Sequence, residues 1–149
     1  MRVLVQQAAF DPGVETGSFL SGRRDVGAVV TFTGLVRDVP GGGLEALEIE
    51  HYPGMTEAAI GDIAQRAVDR WSLSDVLVIH RHGRLSLGEI IMMVATAAPH
   101  RRDAFEAAMF LMDYLKSRAP FWKREHGPQG STWVEATAQD EAALAQWGR

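Results

Sequence analysis

The chain contains no cysteine among its 149 residues. This excludes disulfides, thiolate nucleophiles, cysteine-ligated metals and a persulfide bound to this chain. If the protein handles sulfur, a partner or a substrate must supply it. The sequence also lacks any apolar run of the roughly 18 residues that a membrane helix needs, and its N-terminus becomes polar too early for a signal peptide. We therefore expect a cytoplasmic protein.

Lysine is scarce as well. There are only two, Lys116 and Lys123, and both lie in the segment Lys116–Arg124, which holds four cations and no acid in a chain with a formal net charge of −4. A local positive site in a negative protein indicates a small anionic ligand rather than a long polyanion. The neighbouring rings of Phe121 and Trp122 suit a phosphorylated heterocycle. The alternative is a helix C-terminus whose cations complement the helix dipole.

The composition is typical of a globular chain, with 46% hydrophobic and 23% charged residues. Residue patterns predict strands at 2–9, 26–37, 44–52, 75–81, 89–97, 121–124 and 132–136. They predict helices at 14–20, 56–71, 99–118 and 139–147. Strands and helices mix without a strict β-α-β alternation, so we expect one α+β domain over residues 1–149 with mostly antiparallel pairing.

Two local details can be tested directly. The strand at 44–52 is expected to pair back on the strand at 26–37 across the flexible segment Pro40–Gly43. Thr56 is expected to cap the helix that follows, because a threonine oxygen can accept a hydrogen bond from the first free backbone N–H groups.

The helix at 99–118 places one stripe of side chains along its length, because residues three or four apart share a face. The stripe consists of Arg101, Phe105, Met109, Met112 and Lys116. Lys116 therefore emerges beside apolar neighbours, and partial desolvation would lower its pKa and favour a role as nucleophile or general base. The alternative is a lysine that extends from a core helix into solvent.

The other end of this helix begins with His100 and Arg101, and cations beside free N–H groups can make an anion site there. The alternative is a helix N-terminus that is simply exposed to solvent. Arg101 and Lys116 are about 22 Å apart at about 1.5 Å of rise per residue. One small ligand cannot easily reach both ends of one helix. Either the chain has two anion sites, or a homodimer shares one site between its copies. Arg37, at the end of a strand, is a further candidate for a phosphate contact.

The histidines outside this helix give weaker signals. His51, on the apolar face of its strand, favours a satisfied core histidine over a ligand. His80 and His82 lie two residues apart, but no carboxylate or cysteine pattern accompanies them, so we expect no metal site. The glycines at 41–43 are not followed by the lysine and hydroxyl residue of a phosphate-binding loop.

Six segments carry specific motifs: Val29–Arg37, Glu50–Thr56, Val78–Arg81, Ala98–Arg101, Met112–Glu125 and Trp133–Ala136. Together they resemble the large, catalytic subunit of molybdopterin synthase. The resemblance extends over nearly the whole chain. Its most specific part is the block Lys-Ser-Arg-Ala-Pro-Phe-Trp-Lys, which ends at Lys123.

The resemblance implies an α/β-hammerhead fold of the α+β class with an added antiparallel sheet, and a central homodimer. It also implies a small ubiquitin-like sulfur carrier at each outer end, which makes a heterotetramer. The carrier ends in Gly-Gly and bears a C-terminal thiocarboxylate. Two sulfurs pass to cyclic pyranopterin monophosphate (precursor Z) and form the dithiolene of molybdopterin. No cofactor or metal is implied, because the pterin is the substrate.

The resemblance also assigns site residues. Lys116 and Lys123 are similar to the catalytic pair. The implied substrate and carrier-tail contacts are Arg37, His100, Arg101, Phe32 and Met112. Family members often have an arginine just after the Trp-Val-Glu-Ala motif, where this chain has Thr137. Arg124 or Arg102 is the candidate to replace that contact.

Two other functions fit parts of the sequence. A non-catalytic adaptor would use the same cationic block only to hold a ubiquitin-like tail, and it would bind the carrier without converting the pterin. An oligonucleotide binder would stack bases on Phe121 and Trp122. The net negative charge and the absence of a long basic stripe oppose the second of these.

Overall fold

The computed structural model describes residues 1–148, in which the chain forms eight strands and four helices. The strands are β1 (Arg2–Gln6), β2 (Ala28–Leu35), β3 (Ala46–His51), β4 (Asp75–Arg81), β5 (Gly83–Leu85), β6 (Ile90–Ala98), β7 (Phe121–Gly127) and β8 (Gly130–Val134). The helices are α1 (Pro12–Leu20), α2 (Met55–Trp71), α3 (Arg101–Ser117) and α4 (Ala138–Ala145). None of these helices is long and apolar enough to cross a membrane. The predicted α+β class is confirmed.

The first sheet has the strand order β1-β4-β6-β2, and only the β1–β4 pair is parallel. Both faces of β4 are covered, because its side chains alternate between two apolar clusters. Val76 and Val78 pack with α2 and α3 on one face. Leu77 and Ile79 pack on the other face, where Phe19 of α1 covers them. This double burial explains why β4 is an almost unbroken apolar run.

The second sheet has the order β5-β3-β7-β8 and is antiparallel throughout. Register places Ile49 of β3 opposite Lys123 of β7, and Leu47 opposite Glu125. Cross-strand partners share a face, so these four side chains lie on the same side of the sheet. Phe121, two residues before Lys123, joins that face and packs into the apolar clusters of both sheets. The face is therefore the one that meets the first sheet.

The predicted pairing of the strand at 44–52 with the strand at 26–37 is wrong. β2 pairs only with β6, whereas β3 pairs with β5 and β7 in the other sheet. The three glycines at 41–43 have φ angles of +87°, +83° and +100°. These left-handed conformations favour glycine and carry the chain from one sheet to the other instead of closing a hairpin. The three-residue strand β5 was not predicted, because it is too short to show alternation.

Thr56 does not cap α2 as predicted. The cap is Gly54 at φ +83°, and its N–H donates to the carboxylate of Glu57. Thr56 is instead fully buried, with 0% exposure. Its hydroxyl accepts a hydrogen bond from the N–H of Tyr52 (3.0 Å) and donates to the carbonyl of Pro120 (3.1 Å). The hydroxyl thus ties the start of α2 to the turn that precedes β7.

We expect Thr56→Val to lower the free energy of unfolding by about 2–3 kcal/mol. Valine keeps the shape but leaves two buried backbone groups without a partner. The matched control is Thr132→Val on the exposed edge strand β8, with an expected change within about 0.5 kcal/mol. Urea denaturation of both variants makes the comparison. Equal midpoints for the two variants would show that the Thr56 hydroxyl does not hold this junction.

Candidate active site

A cavity of about 890 Å³ lies where the two sheets meet the C-terminal half of α3. β2 and the residues after it contribute Phe32 and Arg37, and α3 contributes Met112 and Lys116. β7 contributes Lys123 and Glu125, and β4 contributes His80. A volume of this size is typical of small-molecule sites. Five of the eight residues selected from the sequence, including both lysines, therefore line one cavity.

A chain reversal after α3 brings the two lysines to the same cavity. Two successive N–H groups after the helix donate to the carbonyl of Tyr114, at 2.7 and 3.2 Å, and close its last turn. Pro120 cannot continue a helix, and β7 begins at the next residue. Lys116 lies one helical turn after Met112, so both reach the cavity from one face of α3. Lys123 reaches it from the inner face of β7.

The two lysines have different surroundings. Lys123 is partly buried, and burial lowers its pKa from an ordinary 10.5 to about 8, with a further contribution from the positive charge of Lys116. Asp140 of α4 acts in the opposite direction. Lys116 is exposed. The desolvated lysine that the sequence suggested at Lys116 is therefore Lys123, because Lys123 shares the inner face of the second sheet with the buried Ile49, whereas Lys116 is exposed at the end of α3.

His100 and Arg101 do not line this cavity. They begin α3, at the end of the helix opposite to Lys116, and both are exposed. The length of the helix separates Arg101 from Lys116 by about 22 Å. Within one chain, the geometry therefore leaves the two alternatives from the sequence in place: two anion sites, or one site shared between copies.

Arg124 and Thr137 lie outside the cavity for clear reasons. Arg124 follows Lys123 on β7, and successive strand residues point to opposite faces. Its guanidinium lies 4.1 Å from the ring centroid of Trp133, on the outer face of the second sheet. Thr137 caps α4, where its hydroxyl accepts a hydrogen bond from the N–H of Asp140 (3.0 Å). Threonine therefore has a structural role at position 137.

Arg102, the other candidate to replace the missing arginine, is also remote. It lies in the first turn of α3, and its side chain is bound to Glu106 one turn later (3.1 Å). An arginine in this position cannot reach the cavity of its own chain, because the lysines lie at the far end of the helix. Among the arginines of residues 1–148, Arg37 is the one that lines the cavity.

Three histidines lie near the junction of the two sheets. The rings of His51 and His82 are 4.1 Å apart, and Nε2 of His51 is 4.0 Å from a carboxylate oxygen of Glu57. His51 is partly buried rather than enclosed in a core. His80 and Glu125, which line the cavity, were not selected from the sequence. The available signal for His80 was a histidine that directly follows the apolar run Val76–Ile79 of β4.

The fold and the cavity define an α+β protein with a cationic, partly apolar pocket large enough for a small molecule. A family profile described as "MoaE protein" matches residues 5–118. The molybdopterin synthase catalytic subunit of Cereibacter sphaeroides is 64% identical over 147 residues, which cover 99% of this chain and 100% of that protein.

Two solved structures indicate the same family as the sequence comparisons. The molybdopterin biosynthesis MoaE protein from Burkholderia ambifaria is 47% identical, with a TM-score of 0.83 and coverage of 99% of both chains. Molybdopterin synthase from Staphylococcus aureus is 30% identical, with a TM-score of 0.80, and the match covers 88% of this chain and 95% of that chain. The chain belongs to the MoaE family, as its sequence motifs indicated.

Proposed function

We propose that this chain is the catalytic subunit of a molybdopterin synthase. It transfers two sulfurs from the C-terminal thiocarboxylate of a small ubiquitin-like carrier to cyclic pyranopterin monophosphate, and so forms the dithiolene of molybdopterin. The observation that carries the proposal is the meeting of Lys116 and Lys123 in one cavity of a cysteine-free member of the MoaE family. Since the chain has no thiol, the sulfur must arrive on the partner.

The cavity has the charges that this reaction needs. Arg37 and the lysine pair neutralise the substrate phosphate and the incoming thiocarboxylate. The thiocarboxylate sulfur attacks a substrate carbon as a C–O bond of that carbon breaks, and the departing oxygen takes up a proton. Water then hydrolyses the resulting thioester, which releases the carrier as a carboxylate and leaves the sulfur on the pterin as a thiolate. Lys116 and Lys123 stabilise the oxyanion that develops in these steps. A lysine with a pKa of about 8 is mostly protonated at pH 7 and can also release its proton, as acid–base catalysis requires.

The proposal includes a homodimer that shares its sites, with one carrier at each outer end. Exposed apolar side chains support the dimer. Phe105 and Met109 on α3 are 62% and 57% exposed, and Phe32 and Leu35 on the edge strand β2 are 40% and 55% exposed. Such a surface favours burial against another chain. Phe105 and Met109 lie on α3 between Arg101 and Lys116, so a second copy packed there would bring its own His100 and Arg101 near this cavity.

Mixed dimers test the shared site. One copy carries Lys116→Ala, and the other carries His100→Ala with Arg101→Ala. In a shared site, one of the two cavities of the mixed dimer is fully native, so turnover should reach about half that of the native dimer. Both homodimeric variants should be strongly impaired. Full activity of the His100 and Arg101 homodimer, or no recovery in the mixed dimer, would contradict sharing.

Reconstitution tests the function itself. The pure chain is mixed with thiocarboxylated carrier and precursor Z, and molybdopterin is read as its fluorescent oxidised derivative. Product is expected only when all three components are present. The alternative function is a non-catalytic adaptor, which predicts tight carrier binding and no product in the complete mixture.

A further inference from the structure

His80 is an ionisable side chain that the proposed chemistry does not yet use. It is only 3% exposed and lines the cavity that holds Lys116 and Lys123. It lies on β4 two residues after Val78, so it continues the face of that strand that packs towards α3. An imidazole in this position is unusual, because the rest of that face is apolar.

The hydrogen bonding of His80 sets its tautomer. Nδ1 lies 2.8 Å from the carbonyl oxygen of Arg81. A carbonyl only accepts, so Nδ1 must carry the proton and Nε2 of the neutral ring is an acceptor. The carbonyl is held in place, because the guanidinium of Arg81 donates to the backbone carbonyls of Gln7 (3.1 Å) and Ile90 (3.3 Å). The backbone of β4 therefore fixes the Nδ1–H tautomer of His80.

Stacking sets the direction of the ring. The rings of His80 and Phe121 have centroids 3.9 Å apart and planes inclined by 21°. Phe121 and Lys123 alternate onto the same face of β7, so the stacked imidazole lies beside Lys123. Nε2 has no hydrogen-bond partner within residues 1–148. In that range the only side-chain atom that is both fully buried and unpaired is Oγ of Ser117. The unpaired Nε2 is therefore not fully buried. Nε2 therefore opens to the cavity.

Burial keeps this ring neutral. The pKa of His80 is lowered from 6.5 to about 3, chiefly because burial disfavours the charged form and also because Lys123 is nearby. A neutral acceptor beside an ammonium group is electrostatically favourable, whereas a protonated ring there would repel it. His80 thus presents a lone pair, and no charge, to the cavity at neutral pH.

We propose that His80 is a positioning residue for Lys123. Its Nε2, which has no partner among residues 1–148, is the acceptor that the Lys123 ammonium reaches when its flexible side chain turns towards the ring, and this hydrogen bond directs the ammonium towards the ligand. The inference deepens the proposed function, since it concerns the same site, but it can be tested on the protein alone. It predicts a permanent Nδ1–H tautomer and a Lys123 pKa that depends on the acceptor.

Other charged groups surround the pair and must be held constant in any test. They come from the elements that pack around the cavity: Lys116 on α3, Glu125 on β7, Asp140 on α4, Arg37 after β2, His51 on β3 and His82 after β4. Substitutions confined to His80 leave all of these unchanged.

The first measurement is the nitrogen-15 NMR spectrum of the histidine ring in the native protein. His80 should show the neutral Nδ1–H form without titration between about pH 5 and pH 9. An Nε2–H tautomer, or titration within this range, would overturn the proposal. The result does not depend on turnover, so it remains informative even if the proposed function is wrong.

The second measurement uses the fact that the chain has only two lysines. Carbon-13 labelling of lysine gives two side-chain titrations, and Lys116→Arg identifies them. His80→Phe keeps a stacking ring but removes the acceptor, so the Lys123 pKa should fall by about one unit and turnover by about tenfold. His80→Gln places an oxygen near the site of Nε2. This variant should keep the Lys123 pKa within about half a unit of native and turnover within about threefold of native. An unchanged Lys123 pKa in His80→Phe would refute the positioning role.

Discussion

Replacing Lys116 by alanine is expected to lower the rate of sulfur transfer by about 100- to 1,000-fold, the usual effect of removing one group that stabilises an oxyanion. The reason is geometric. Lys116 reaches the cavity from the end of α3, whereas Lys123 reaches it from β7. Two cations from different elements can contact a developing negative charge from two directions, and one alone cannot.

Carrier binding separates this prediction from a general loss of structure. Lys116 is exposed and belongs to no apolar cluster, so its removal should leave folding unchanged and the dissociation constant of the carrier within about threefold. The matched control is Arg24→Ala, which removes an exposed cation that does not line the cavity and should keep full turnover. Near-normal turnover by Lys116→Ala, with thiocarboxylated carrier, would remove Lys116 from the catalytic group.

Replacing Lys123 by methionine is expected to abolish most activity and to stabilise the protein at the same time. Burial lowers the pKa of Lys123 from 10.5 to about 8, so below pH 8 the folded state holds a charged ammonium in an unfavourable place. A shift of this size corresponds to about 1–3 kcal/mol once partial solvent access is allowed for. Methionine fills a similar volume without the charge, so the free energy of unfolding should rise by about that amount at pH 7.

The pH dependence supplies the sign of this effect. Between about pH 8 and pH 10.5 the unfolded chain binds more protons at this lysine than the folded chain, so native stability rises with pH across that window. The stabilisation by Lys123→Met should therefore be largest below pH 8 and disappear towards pH 10.5. Lys116→Met is the control, because that exposed side chain should change stability by less than about 0.5 kcal/mol. A Lys123→Met variant that is less stable than native at pH 7 would contradict the burial of this charge.

The elements that the sequence predicted best are those with strong local patterns. The bounds of β4 are Asp75–Arg81 as predicted, because a continuous apolar run with polar or turn-forming residues on both sides defines both ends of a strand. Helix α3 was predicted at 99–118 and is found at Arg101–Ser117, because its apolar periodicity is long. The convergence of Lys116 and Lys123 was also accessible, since both lie on either side of a proline that must end the helix.

Strand pairing and side-chain depth could not be predicted in the same way. Whether β3 joins β2 or β7 depends on where the glycine loop sends the chain, and no local pattern encodes that. Arg124 points away from the cavity because strand alternation, once the register is known, gives its neighbour Lys123 the inner face. The burial of Lys123 and the tautomer of His80 depend on contacts between the two sheets. Such contacts between residues distant in sequence cannot be deduced from a single amino-acid sequence.

The most direct test of the account follows the sulfur atoms. The carrier thiocarboxylate is labelled with sulfur-34, the pure chain and precursor Z are added, and both the product and the chain are weighed by mass spectrometry. The account predicts two labelled sulfurs in each molybdopterin and no change in the mass of this cysteine-free chain. Absence of product, unlabelled sulfur in the dithiolene, or sulfur retained on the chain would contradict it.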